Sequence, residues 1–299
     1  MTSPAPAHNV ALGFTIPARN ARGRVVKLSD TLDLILSHHN YPPVIAKLLA
    51  EALVLTALLG SLLKEEEGQL TVQAQSEGGI VSLLVCDYRN GELRGYIQHD
   101  DERLAEIGPT PSLFGLFGKG YLAITFDQIV SGERYQGIVP LEGASLADAA
   151  QSYFAQSEQL PSLVRIAADV QGETGNLAGG LLMQYLPEGE EGRTRLHVDD
   201  NHPGWSDVEA LALTVSPAEL IDDRVAPDLL LWRLFNEEQV HILPTVEIKR
   251  GCRCTLEYYK GVLSRFPAEE RAHMADEQGI IGVDCAFCAK LFPIVAAEL

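Results

Sequence analysis

Basic side chains are scarce in this chain. Its 299 residues hold 23 Lys and Arg against 41 Asp and Glu, a net charge of −18. A protein that grips nucleic acid or an anionic membrane over a broad face needs the opposite balance, so neither is an expected partner. The start, MTSPAPAHNVALGFTIPARN, has no basic stretch followed by an apolar core, so no secretory signal is expected. An uninterrupted membrane span is missing as well. The most apolar stretch, Val44 to Leu63, is long enough, but Lys47 and Glu51 interrupt it one helical turn apart. It reads as a buried helix with one wet face. No G-x-S-x-G elbow or nucleophile–base pair stands out. GLFGKG (Gly115 to Gly120) fails as a phosphate loop because Gly120 follows the lysine where Ser or Thr is needed. The expectation is a cytoplasmic, non-enzymatic protein with one large domain or two and a sizeable core.

Cysteine is scarce too, and unevenly placed. Of five, four lie in the last fifth of the chain: Cys252 and Cys254 in GCRC, Cys285 and Cys288 in CAFC. In a reducing compartment such clusters point to metal ligation or redox chemistry rather than a disulfide framework. Two close pairs separated by a spacer form the pattern of a tetrahedral four-cysteine zinc site. Each pair supplies two sulfurs from one local turn, and the spacer folds back to close the tetrahedron. An iron–sulfur cluster also uses four thiolates, and so stays open from spacing alone. So do a thioredoxin-like dithiol, although little chain follows Cys288, and four unrelated buried thiols. Energetics favour metal. About fifty residues rarely stabilise a core alone, and a structural zinc contributes on the order of 10–16 kcal/mol. Thiolates on a metal are open to oxidants where accessible, and oxidation to disulfides would remove the ligands. Chemistry at four sulfurs could then switch the folding of a module. Cys86, among apolar residues in SLLVCDY, reads as a buried inert thiol. His273 reads as a surface residue, and His38, His39 and the DDNH of Asp199 to His202 as loop or capping residues.

The rest of the chain reads as mixed α+β. Residues 32–63 are helical with a break at HHNYPP, His38 to Pro43. Strands are expected at QLTVQAQS, IVSLLVCDY and ELRGYIQ, with Asn90-Gly91 as a hairpin turn. GYLAITFDQIV, ERYQGIVPLEG, SLVRIAADV and LAGGLLMQYLP are further strands. SLADAAQSYFAQSEQ is a helix with Ser145 as N-cap and Asp148 at N3. The acidic stretch PEGEEGRTRLHVDDNHPGWSDVE reads as a domain boundary. Two helices follow. One is capped by Ser206 with Glu209 at N3; the other starts at Ser216-Pro217 and continues through PDLLLWRLFNEE. Leu211, Leu213, Val215, Leu229, Leu230, Trp232, Leu234 and Phe235 sit at helical spacing there, so these helices are expected to lie on the sheet of residues 69–187. In the cysteine module, TLEYYKGVLSRF and PAEERAHMADEQG read as helices, with Pro267 at the first turn of the second, and GIIGV as a strand. The organisation expected is an α+β core domain (1–190), a helical linker (191–245) and a small C-terminal zinc-binding module (246–299).

These motifs, together with SGERYQGIVPLEG, YFAQSEQLPS, AGGLLMQYLP and LLWRLFNEE in this order along nearly the whole chain, resemble the redox-regulated heat-shock protein 33 family. The resemblance implies a cytoplasmic holdase that needs no ATP, acts on unfolding client proteins and is inactive while reduced and zinc-bound. It implies one zinc per chain on Cys252, Cys254, Cys285 and Cys288. Hypochlorite, or peroxide with heat, would form two disulfides, Cys252–Cys254 and Cys285–Cys288, release the zinc, and unfold the module and linker. The active form would be a homodimer. Some positions depart from the family pattern. Thr255 stands in place of serine and Tyr258 in place of a basic residue, while Glu257 keeps the acid. Leu291 stands where a tyrosine is usual. These changes leave the ligands intact and bear on the module's local stability.

Two other functions compete. A zinc-ribbon docking or nucleic-acid module fused to an α+β domain is one. Against it, residues 246–299 hold seven Lys/Arg and eight Asp/Glu, a net −1 that suits phosphate contacts poorly. A thiol oxidoreductase is the other, and it would have to turn over many disulfides per chain.

Overall fold

The computed structural model describes residues 8–63, 68–128, 132–172, 175–186 and 203–299. The chain opens with β1 (Val10–Ile16), β2 (Ala21–Leu28), α1 (Asp30–Leu36) and α2 (Pro43–Gly60). A run of strands follows, β3 (Gln69–Ser76), β4 (Val81–Arg89) and β5 (Glu92–His99), then two short helices, α3 (Asp101–Ala105) and α4 (Leu113–Phe117). Next come β6 (Gly120–Gln128), β7 (Glu133–Pro140), α5 (Leu146–Tyr153), β8 (Ser162–Gly172) and β9 (Gly175–Tyr185). The linker helices are α6 (Pro203–Leu213), α7 (Pro217–Leu220) and α8 (Pro227–Phe235). Three two-residue strands lead to the cysteines: β10 (His241–Ile242), β11 (Val246–Glu247) and β12 (Lys249–Arg250). The module itself holds α9 (Leu256–Leu263), α10 (Ala268–Met274), β13 (Ile280–Asp284) and β14 (Leu291–Val295).

The strands form two large sheets. One runs β10-β1-β2-β9-β8, with β11 also on β1; the other runs β12-β5-β4-β3-β6-β7. The α2 helix packs against both. Apolar residues nearly all round, from Ile45 to Leu59, let it fill the space between them. It has the length and apolarity of a membrane span, yet 78% of it is buried inside the protein. Lys47 is exposed and Glu51 half-buried, so the expected wet face is present.

Local chemistry sets many boundaries. In β3, Leu70, Val72 and Ala74 point inward while Gln69, Thr71, Gln73 and Gln75 alternate outward. Asn90 and Gly91 take φ values of 49° and 80°, which the hairpin between β4 and β5 requires. Ser145 and Asp148 form the expected capping box on α5. That helix then continues as a π turn, Phe154–Glu158.

Three expectations need correction. Ser206 is no cap, because α6 already begins at Pro203. The helix from Ser216 does not run on: Ser216 and Glu219 form a capping box on a one-turn α7, and Pro227 opens a separate α8. The linker helices do not rest on one sheet of residues 69–187. They cover the outer face of β1, β2, β8 and β9, while residues 69–140 form the other sheet. Val215, Leu230, Leu234 and Phe235 are buried there, joined by Trp205, Val208, Ala212, Leu220, Val225 and Leu231. Leu211, Leu213, Leu229 and Trp232 face outward. Close approach depends on Gly179 in β9, where any Cβ would run into the Leu220 carbonyl. The expected boundary near residue 190, and Asp199 to His202, lie outside the described residues.

Candidate metal centre

The two cysteine pairs reach one point from different elements. Ile248 and β12 are fixed on the core, and the chain enters Cys252 directly from there. Thr255 then caps α9, accepting a hydrogen bond from the Tyr258 amide at 3.1 Å. The hydroxyl kept at this position therefore has a definite task. On the other side, β13 and β14 form a hairpin, and CAFC is its turn. The Cys285 amide donates to the Lys290 carbonyl at 3.0 Å, and the Cys288 and Ala289 amides donate back to the Cys285 carbonyl. Pro267 stands at the N-cap of α10, one position before its first turn.

All four sulfurs lie within 4.8 Å of one another. Cys252 Sγ is 3.3 Å from Cys254 Sγ and 3.6 Å from Cys285 Sγ; Cys254 Sγ is 3.4 Å from Cys288 Sγ. A tetrahedron of metal–sulfur bonds of about 2.3 Å spaces its sulfurs about 3.8 Å apart, so the four cysteines could bind one metal ion. Electrostatics agrees. Burial opposes ionisation of Cys285, yet the Tyr259 hydroxyl and the Phe287 and Cys288 amides hold its thiol down at about 7. Burial and the neighbouring sulfurs push Cys254 up. The bare cluster thus favours one thiolate and resists a second, and four thiolates need a cation among them.

Packing around the sulfurs is thin. Cys285, Cys288 and Phe292 are buried together, and a second cluster rests on Leu263, Ile281 and Ile294. Tyr258 and Leu291, two of the three positions noted above, are 61% and 63% exposed; Tyr258 meets this packing only edge-on through Tyr259, with ring centroids 5.3 Å apart. His273 is exposed on α10, as expected.

The residues between the paired cysteines hold the module to the core, a role the spacing did not reveal. Asp87 in β4, 4% exposed, accepts two hydrogen bonds from Arg94 of β5, at 2.9 and 2.6 Å, and one from Thr71 at 2.7 Å. Arg253, inside C-x-C, lies 3.7 Å from Asp87, 3.8 Å from Glu92 and donates to Gln69 at 3.2 Å. Phe287, inside C-x-x-C, has its ring 3.9 Å beneath the Arg94 guanidinium and meets Tyr96 edge-on at 4.8 Å. Burial works against the charge on Arg94, but Asp87 and the Cys252 sulfur beside it keep the guanidinium firmly protonated. Arg94 is thereby a cation shared by the core, the Phe287 ring and one ligand sulfur.

Cys86 lies elsewhere, fully buried in β4, where burial pushes its thiol far up. Replacing it with serine is expected to leave metal content unchanged, read by elemental analysis of the reduced protein. Loss of metal in that variant would contradict the placement.

A two-sheet α+β protein with a docked four-thiol module able to hold a metal is the class that fold and site define. Within it, the chain belongs to the Hsp33 family, whose "Hsp33 protein" model matches residues 10–294. It is 41% identical over 294 residues to the 33 kDa chaperonin of Caulobacter vibrioides, covering 96% of this chain and 94% of that one. To the 33 kDa chaperonin of Serratia proteamaculans it is 33% identical over 278 residues, 93% and 89% of the two chains. The crystal structure of the 33 kDa chaperonin from Thermotoga maritima matches with a TM-score of 0.79 at 23% identity, over 97% and 96% of the chains, which speaks for the fold alone. The family and the names of its members place the chain among chaperones.

Proposed function

We propose that the protein is a redox-regulated, ATP-independent holdase, inactive when reduced and metal-bound and active when its four module cysteines are oxidised. The observation that carries this reading is the set of four sulfurs within 4.8 Å of one another in a module with almost no apolar core of its own. The metal is one zinc per chain, held by Cys252, Cys254, Cys285 and Cys288. Sulfurs this close leave room for a single ion and not for the bulk of an iron–sulfur cluster. Zinc held by these four sulfurs would supply structural cross-links and would keep the sulfurs deprotonated.

Oxidation pairs Cys252 with Cys254 and Cys285 with Cys288. Forming each disulfide from two thiolates releases two electrons, which one hydrogen peroxide takes, together with two protons from solvent, to give two waters, so full conversion consumes two peroxides per chain. Residues 1–190 act as the core, 191–245 as the linker and 246–299 as the switch. The oxidised form dimerises and holds unfolding client proteins in the cytoplasm, and binds neither nucleic acid nor membrane. No substrate is turned over.

The test compares reduced and peroxide-treated protein without nucleotide. Oxidised protein is expected to keep a thermally unfolding client in solution, release its zinc and show both disulfides by peptide mapping. Reduced protein is expected to do none of these. Equal suppression of aggregation by both forms would remove the switch from the reading.

A further inference from the structure

Residues 241–251 form a strap that joins the two sheets through main-chain hydrogen bonds. At one end it lies antiparallel on β1, with Ile242 opposite Phe14 and Glu247 opposite Val10. At the other it lies parallel on β5, with Lys249 opposite Glu92 and Arg250 opposite Leu93. The amides of Leu243, Ile248, Lys249 and Gly251 donate to the carbonyls of Gly13, Asn9, Gly91 and Leu93, at 2.8, 2.7, 2.8 and 3.0 Å. The Ile248 carbonyl accepts from the buried Thr31 hydroxyl at 3.0 Å. Side chains contribute little. Ile242 is 52% exposed, and His241, Glu247 and Lys249 also face outward. Ile248 is the main exception: it is 1% exposed and inserts into the main core between the sheets, and half-buried Val246 packs against the same core. At Gly251 the approach is so close that a Cβ would meet that of Glu92 at 2.5 Å.

A segment held this way is chemically generic. It presents an extended backbone and two inward aliphatic side chains, Ile248 foremost and Val246 beside it, and many unfolded chains offer both. Its hold is also conditional. Each of its strands is two residues long, far below what stands alone, and it is framed by α8 on one side and Cys252 on the other. Once those neighbours unfold, β1 and β5 are left with unpaired edges, which recruit extended chain.

We propose that these two edges, with the Ile248 pocket between them, are a strand-addition site for an extended, aliphatic-bearing segment of a client, and that the strap occupies it in the metal-bound state. This rests on the holdase reading for when the site opens. It adds main-chain recognition, which tolerates any sequence, to the burial of apolar surface.

The test uses the full-length protein in its reduced metal-bound and peroxide-oxidised forms. The probe is a fluorescein-labelled peptide with the sequence of Thr245–Gly251. A second peptide carries N-methyl groups on the Ile248 and Lys249 amides; a third carries Ile248→Asp. By anisotropy, the parent peptide is expected to bind oxidised protein at least tenfold more tightly than reduced protein. Each altered peptide is expected to lose at least tenfold. Excess parent peptide should relieve aggregation suppression, and the N-methylated one should not. Equal binding of the parent and N-methylated peptides, or no binding to the oxidised form, overturns the site. Suppression without peptide reads the holdase function separately. If oxidised protein suppresses aggregation but binds no peptide, only the edge site falls. If it binds the peptide but does not suppress aggregation, the site stands and the holdase reading falls.

Discussion

Replacing Cys285 with serine is expected to strip the metal from the reduced protein and unfold residues 252–299 while both large sheets stay folded. The module cannot compensate from within. Its apolar clusters amount to Leu263, Ile281 and Ile294 on one side and Phe292 with two cysteines on the other. Against that stands a metal contribution of about 10–16 kcal/mol, most of which depends on four anionic sulfurs. A serine hydroxyl stays protonated near neutral pH and is a poor ligand for a borderline-soft ion. It also removes the one thiol that Tyr259 and two backbone amides hold at about 7. Metal retention against a chelator should fall by at least tenfold. Amide protection in α9, β13 and β14 should vanish, while protection in β3–β6 is kept. Full retention of metal would show that three cysteines suffice, and the site as drawn would be wrong.

The cysteine pairs were legible in the sequence because ligand spacing is a local property. The β4–β5 hairpin and the capping box of α5 were legible for the same reason, whereas Ser206 and Glu209 carry the same local pattern inside a helix that has already begun. What escaped was set by contacts between distant segments. β1 and β2 show little alternation because α2 covers one face of their sheet and the linker helices the other, so residues on both faces are buried. Lys27 is a charged side chain near the end of β2. It is in fact 3% exposed, with its amine donating to the Asp222 and Glu219 carbonyls at 2.6 and 3.3 Å beneath α7, and burial lowers its pKa to about 8. Asp87 and Arg94 are likewise charged groups on a strand pair with no local signal of burial; Asp87 is buried and Arg94 half-buried because the module lies on them. Arg253 and Phe287 were spacers between ligands in the sequence, and only the docked geometry shows them gripping the core.

Replacing Phe235 with alanine is expected to release the linker helices in the reduced, metal-bound protein. Phe235 is 1% exposed, and its ring centroid lies 6.0 Å from that of Phe14 on β1. Truncating a buried phenylalanine costs about 3–5 kcal/mol. Trp205, Val208, Leu230 and Leu234 share that buried face, and the helices have no stability apart from it. With 11, 4 and 9 residues, α6, α7 and α8 are each too short to persist undocked in water. Arg19 adds ion pairs to Asp207 and Glu238, each at 2.8 Å, but all three side chains are partly exposed and such pairs contribute only about 0–1 kcal/mol. Packing therefore decides whether the linker stays down. Trypsin reads the outcome, since Arg224 and Arg233 both lie in the linker and neither substitution touches them. Cleavage at these two sites should rise at least tenfold in Phe235→Ala. In Trp232→Ala, on the same helix but 65% exposed in the parent, it should match the parent protein. Residues 69–186 should resist cleavage in both. Equal sensitivity of the two variants, or first cuts inside residues 69–186, would mean that the linker is not held by this apolar face. The opening of the strap behind it would then need another cause.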